Sequence, residues 1–241
     1  MENMKPLYHI SLIALFMLMA TSCAYYPHLT GVPLINEKGD TRIEGGVTIA
    51  PSAHATVSYG LTDKIAIQAA GALGGGAGLY YDSAERGKSV YSLQGAVGLF
   101  KNLQNRKILE LYGGFGHGYG YSENHNKGEE FGYYQVYFAQ FNFGKVNSEI
   151  KNIDYGLGLK TGYIHADMTD KRYFDHDSKP SYSTYKYDGI LLEPQFFFRI
   201  GGKKLKFQTT LGLCGLFRLT NNDNVFPFWP FNLGLGLSYG F

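Results

Sequence analysis

Two short stretches hold the residue types that acid–base chemistry needs. In "HADMTD", His165 precedes Asp167 and Asp170; in "YFDHD", His176 stands between Asp175 and Asp177. An imidazole oriented by a carboxylate is a general base, and the same groups could ligate a metal. Ser58 and His54 share one parity of an alternating run, the minimum for a nucleophile beside its base. The metal reading is weak, because three adjacent residues of an extended chain alternate in direction and rarely converge. The serine pair is weak too, since no third residue orients the histidine. The expectation is no catalytic residue, no metal site and no cofactor.

The surrounding elements read as strands. Ile43, Gly45, Val47 and Ile49 alternate with Glu44, Gly46 and Thr48. After a break, Val57, Tyr59 and Leu61 alternate with Thr56, Ser58 and Gly60, and "LTDK" leads into Ile65 and Ile67. Period two with Gly, Asp and Ser in the breaks is the signature of hairpins. Further strands are expected near 89–101, 107–121, 131–144, 153–167, 187–200, 205–219 and 230–241, about ten in all, within a range of 8–12. Short turns such as "LTDK", "NLQNRK" and "GGKK" alternate with long polar loops near 75–88, 122–130, 168–186 and 220–229.

Composition fits the pattern. Charged residues are 17%, against roughly 25% in a soluble domain, while the chain holds 32 Gly, 20 Tyr and 17 Phe but one Trp. High aromatic and glycine content with many short alternating segments describes a transmembrane β-barrel, which shows lipid only every second side chain. A net charge of +2 and the lack of a basic, aromatic-interleaved run argue against nucleic acid. The expected fold is all-β, an antiparallel up-and-down transmembrane barrel over 40–241. An even strand number sets both termini on the short-turn side, the periplasmic one.

The inward parity collects the charges. Glu44, Glu110, Asp154 and Glu193 stand against Lys160, Arg199, Lys206 and Arg218. Near-equal numbers of opposite sign should pair in a narrow lumen, because an unpaired buried charge is costly. A rigid interior polar network is therefore expected rather than a pore lined by one sign.

The first residues read as an address. Lys5 opens a polar start, an apolar core runs from Ile10 to Ala20, and "ATSC" ends at Cys23. An apolar run this short cannot cross a bilayer and fits a signal peptide over 1–22. "MATSC" resembles the lipobox of bacterial lipoproteins, which implies covalent lipid on Cys23 followed by a lipidated linker over 23–39. At the other end, "FNLGLGLSYGF" resembles the signal that outer-membrane barrels present to their insertion machinery, with Tyr239 and Phe241 carrying the likeness.

Several stretches together resemble small outer-membrane β-barrel lipoproteins of Bacteroidota-type bacteria. They are "CAYYPHLTGVPLINEKGD", "HATVSYGLTDKIAIQAA", "GILLEPQFFFRIG" with its Glu193–Pro194 pair, and "LGLGLSYGF". That resemblance implies fold and location and assigns no activity. Outer-membrane proteases of ten strands are similar in size, yet the residues around His165 do not match their motifs. No acidic run follows Cys23, which implies an anchor in the periplasmic leaflet. The expected role is a non-enzymatic structural or accessory subunit of an outer-membrane complex. Its partners are outer-membrane lipid, the insertion machinery and other outer-membrane proteins. The alternatives are a narrow channel or a barrel for a small or lipidic ligand, and then a hydrolase at the rim.

Overall fold

The computed structural model describes residues 31–49, 52–75, 85–124, 128–147, 152–172, 180–219 and 230–241. Cys23 and the 175–177 cluster lie outside them. The described chain is almost all strand: β1 (Thr41–Thr48), β2 (Ser52–Gly60), β3 (Ile65–Gly75), β4 (Glu85–Leu103), β5 (Lys107–Asn124), β6 (Gly128–Asn147), β7 (Ile153–Arg172), β8 (Ser181–Gly201), β9 (Leu205–Leu213), β10 (Gly215–Arg218) and β11 (Phe231–Gly240).

Every strand pairs antiparallel with its chain neighbours, and β11 joins β1 on one side and β9 on the other. β9 and β10 both run along β8 in one register, so they are one strand interrupted at Cys214, whose N–H donates to Pro230 O at 2.8 Å. The sheet is thus a closed barrel of ten strands, as expected from the alternation. Closure leaves no edge for lipid to meet, which a sheet in a bilayer requires.

Tight connections at 61–64, 104–106 and 202–204 define a turn rim, and both β1 and β11 end there: Phe241 N–H donates to Thr41 O at 3.0 Å. The outer face between the rims is apolar. One row runs Leu109–Phe143–Leu157–Phe196, and three pleats further Phe115–Tyr137–Tyr163–Ile190 closes the band in aromatic rings. On β8 the outward apolar run extends from Ile190 to Ile200, and ten residues at ~3.3 Å, tilted by ~40° as in a barrel, give a band of about 25 Å, that of a membrane barrel.

The wall is uneven in height. β4 to β8 have 18–21 residues, whereas β1, β2, β3, β9 and β11 have 8–11. Residues expected in loops, such as 122–124, 128–130, 168–172 and 181–186, continue the ladder beyond the band. Beyond the last buried inward residues there, Ser122 and Met168, both faces meet water, so alternation stops while the hydrogen bonds go on.

Inside, the loop-side half of the lumen is apolar. Tyr134, Val136, Phe138, Ile164, Ala166, Met168, Tyr187, Leu191 and Cys214 form one buried cluster on β6–β9. On β5, the strand paired with β6, Gly114, Gly116 and Gly118 turn inward, which leaves room for the Phe138 and Tyr134 rings to lie over them. A Cβ on Gly114 would sit 2.5 Å from both Gly95 O and Phe138 Cζ. Because the backbone oxygen cannot swing away, Gly114→Ala should cost about 1–3 kcal/mol, read as a lower unfolding temperature.

Candidate functional site: a strap held in a charged lumen

The turn-side half of the lumen is polar, and a segment of the chain itself occupies it. Residues 31–36, "GVPLIN", run inside the barrel toward the turn rim before β1 begins. Val32, Leu34 and Ile35 are all at most 2% exposed. A turn at the rim redirects them: Gly39 adopts φ 87°, its N–H donates to Gly60 O at 2.8 Å, and Asp40 Oδ2 accepts from Asn36 N–H at 2.9 Å. Glycine suits that left-handed conformation at no steric cost. Within the segment expected as a lipidated linker over 23–39, residues 31–35 are therefore buried, while 36–39 are exposed. Its Val-Pro-Leu-Ile run carries the apolar surface that explains this.

The strap's backbone is satisfied by side chains from across the barrel. Ile35 N–H donates to Glu110 Oε1 at 2.8 Å, and Gly31 O accepts from Gln68 Nε2 at 2.9 Å and Gln140 Nε2 at 3.2 Å. Val32 O accepts from Arg199 Nη2 at 2.6 Å. Backbone groups in extended conformation have no ladder partner in a lumen, so these bonds replace the strand pairing they lack. Leu34 packs with Val32, Ile108 and Phe197, and Ile35 with Ala66, Phe100 and Tyr112. Leu34 is held at φ 56°, a region that leucine rarely adopts, so packing overrides backbone preference there.

Around the strap the charges pair. Arg199 reaches Glu44 at 2.5 Å, bonds Gln208 at 2.7 Å and lies over the Phe197 ring. Asp154 holds Lys206 at 2.6 Å and Arg42 at 3.4 Å. Lys160 sits 3.2 Å from Glu193 and bonds Gln94 at 3.1 Å. Glu110 is fully buried, and its oxygens accept from Ile35 N–H, Asn142 and Tyr112. Seven of the eight charges expected inside are thus buried around one layer. Arg218 faces inward further up, on the loop side, and its Nε and Nη2 have no hydrogen-bond partner among the described residues. Arg42, Gln68, Gln140 and Asn142 complete the layer without having been singled out. Their parity matches that of Glu44 and Glu110, and that was the available signal.

The lumen holds little empty space among the described residues. A pocket lined by His54, Thr56, Ser92 and Gln94 has about 10 Å³, room for one water. His54 and Ser58 do not meet; Ser58 bonds Gln68 at 3.3 Å. At the loop rim, His165 and Asp167 point outward while Asp170 points into the mouth, so the three do not converge. His165 Nδ1 lies 2.7 Å from Asp188 and Nε2 lies 3.6 Å from Asp167, which leaves both ring nitrogens facing carboxylates.

Asp188 stands one pleat beyond the apolar band. Hydrogen bonds from Tyr163 and His165 favour its charged form and hold its carboxyl below the usual range. A depressed folded pKa contributes stability above the unfolded value, near 3.9, and loses it as pH falls through the folded value. The wild type should accordingly lose this contribution as the pH falls below about 4, and Asp188→Asn should flatten that part of the acid-unfolding profile. At pH 7 the variant should be the less stable of the two.

Tyr239 and Phe241 sit side by side at the turn rim, ring centroids 4.7 Å apart edge to face, with Phe241 exposed.

A closed ten-stranded antiparallel barrel with an apolar outer band and a paired polar interior defines the class: an outer-membrane-type β-barrel. Among solved structures the chain is similar to the outer membrane protease OmpT from Escherichia coli, at 12% identity and a TM-score of 0.54, over 84% of this chain and 93% of that one. It is also similar to the N-terminal β-barrel domain of Pseudomonas aeruginosa OprF, at 12% identity and a TM-score of 0.35, over 85% of this chain and 98% of that one. The first likeness shows the fold alone. No family model matches the chain, and no curated protein matches it.

Proposed function

We propose that this protein is a sealed, non-conducting barrel lipoprotein of the outer membrane, serving as a structural or accessory subunit rather than as an enzyme. The observation that carries the reading is the filled lumen: the strap over residues 31–36 takes the place where a conduction path or substrate groove would run. In this reading the turn rim faces the periplasm and the tall wall faces outward. Cys23 carries lipid in the periplasmic leaflet. Seven residues separate it from Gly31, and the eight Cα steps reach up to ~28 Å, enough to run from Gly31 inside the lumen to the turn rim. A barrel does not need lipid to stay in a membrane, so the anchor's use is to position the chain near the periplasmic mouth, where a partner would dock.

Two measurements test it. The full chain reconstituted in planar bilayers should give no conductance steps, and steady single-channel openings would overturn the sealed reading. Mild crosslinking of native outer membranes should recover the protein in a complex of fixed composition; recovery only as a free monomer would overturn the accessory role.

A further inference from the structure

The outer face of the tall wall carries two rows above the band's aromatic closure. The first is His117–Gln135–His165–Asp188, and the second is Tyr91–Tyr119–Tyr133–Asp167–Lys186. The rings form a continuous stack. Tyr91 and Tyr119 lie 5.6 Å apart at 22°, Tyr119 and Tyr133 are 4.9 Å apart, and His117 stacks on Tyr133 at 5.6 Å and 15°. A membrane girdle needs one ring row at the interface, and Phe115–Tyr137–Tyr163 already supplies it. These rows lie beyond it, and they are one-sided: along the second row, the neighbours on β3 and β2 are Leu73 and Ala53.

Directly below, on the same strands, the band is indented. Val97, Leu99, Leu111, Gly113 and Ala139 line an apolar depression of about 470 Å³ on the outer face, a size typical of ligand sites. Gly113 opens it: a Cβ there would meet no atom within 4 Å.

The two features stack in the order of an amphiphile. The depression is an open, apolar hollow against which an acyl chain can lie. The platform above it offers flat aromatic faces, which pack against the C–H faces of a sugar ring, and beside them the carboxylates, amide and imidazoles that bond hydroxyls. Asp167 and Lys186 lie 3.8 Å apart, and with Asp188 the platform carries two carboxylates against one ammonium, which favours an uncharged head over an anionic one. We infer that β4–β8 bind a glycolipid of the surrounding leaflet, its acyl chain in the Gly113–Ala139 depression and its saccharide on Tyr91, Tyr119, Tyr133 and His117. The inference rests on the membrane placement proposed above; a chain that never inserts fails at reconstitution, before any lipid is compared.

The test uses the full chain in mixed micelles with diglucosyldiacylglycerol or with phosphatidylglycerol of the same acyl chains, bound lipid being counted by native mass spectrometry. The wild type should retain the glycolipid roughly tenfold better. Tyr119→Ala with Tyr133→Ala should erase that preference, whereas Tyr119→Phe with Tyr133→Phe keeps the rings and should keep it. Gly113→Leu fills the depression without a clash and should weaken both lipids alike. Heat-modifiability on a gel shows that each variant is folded. Equal retention of the two lipids by the wild type overturns the inference, as does a preference that survives the alanine pair. Glycolipid retention unchanged by Gly113→Leu, or matched by the free disaccharide, overturns the acyl slot.

Discussion

Replacing Asp154 with leucine should lower the unfolding temperature of the barrel more than any other single change in its interior. The carboxylate is fully buried and holds two cations, Lys206 at 2.6 Å and Arg42 at 3.4 Å. Both cations are themselves largely shielded. Removing one partner of a buried pair leaves a charge without compensation, at a cost of about 3–5 kcal/mol. Here one substitution strands two. Asp154→Asn keeps the shape and some hydrogen bonding, so its effect should be smaller. The measurement is the temperature at which the compact, heat-modifiable band converts to the unfolded one. If Asp154→Leu unfolds with the wild type, the charge pairing in the lumen contributes nothing.

The second large effect should come from the strap. Leu34→Ala with Ile35→Ala removes two fully buried side chains from separate clusters, one against Phe197 and one against Tyr112. Each truncation in a core costs about 2–5 kcal/mol. The strap has no strand ladder and is held by a few side-chain bonds, so this loss should release it locally before the barrel fails. Hydrogen exchange of a 31–36 peptide read by mass spectrometry should show slow exchange in the wild type and rapid exchange in the double variant. The amides of β5 to β8 should stay protected in both. Rapid exchange of the wild-type strap would show that it does not occupy the lumen in solution.

Much of this was legible in the chain because a barrel forces period two on every strand. Glu44, Glu110, Asp154, Lys160, Glu193, Arg199 and Lys206 could be assigned inward from their apolar neighbours. The same rule fails where both faces are apolar. In "YYQVYFAQF" the inward Tyr134, Val136 and Phe138 look no different from the outward Tyr133 and Tyr137, so the apolar half of the lumen was hidden. It fails again where both faces are wet, which turned the upper ends of β6, β7 and β8 into expected loops. The strap was invisible for another reason. Its six residues carry no periodicity, and the side chains that bond its backbone from across the barrel lie at separations of 37 to 167 residues, beyond the reach of any local pattern.

Those separations also bear on how the molecule is made. Arg199 lies in β8, yet it bonds Val32, ahead of the first strand, and Glu44 within it. Loop closure over such distances must be completed before these contacts return any stability, which slows folding. The interior therefore cannot set while the chain is being delivered; it locks only when late strands come round to early ones. An assembly intermediate stalled before β8 would keep its strap exposed and its buried acids unmatched, a ready mark by which quality control could tell finished barrels from abandoned ones.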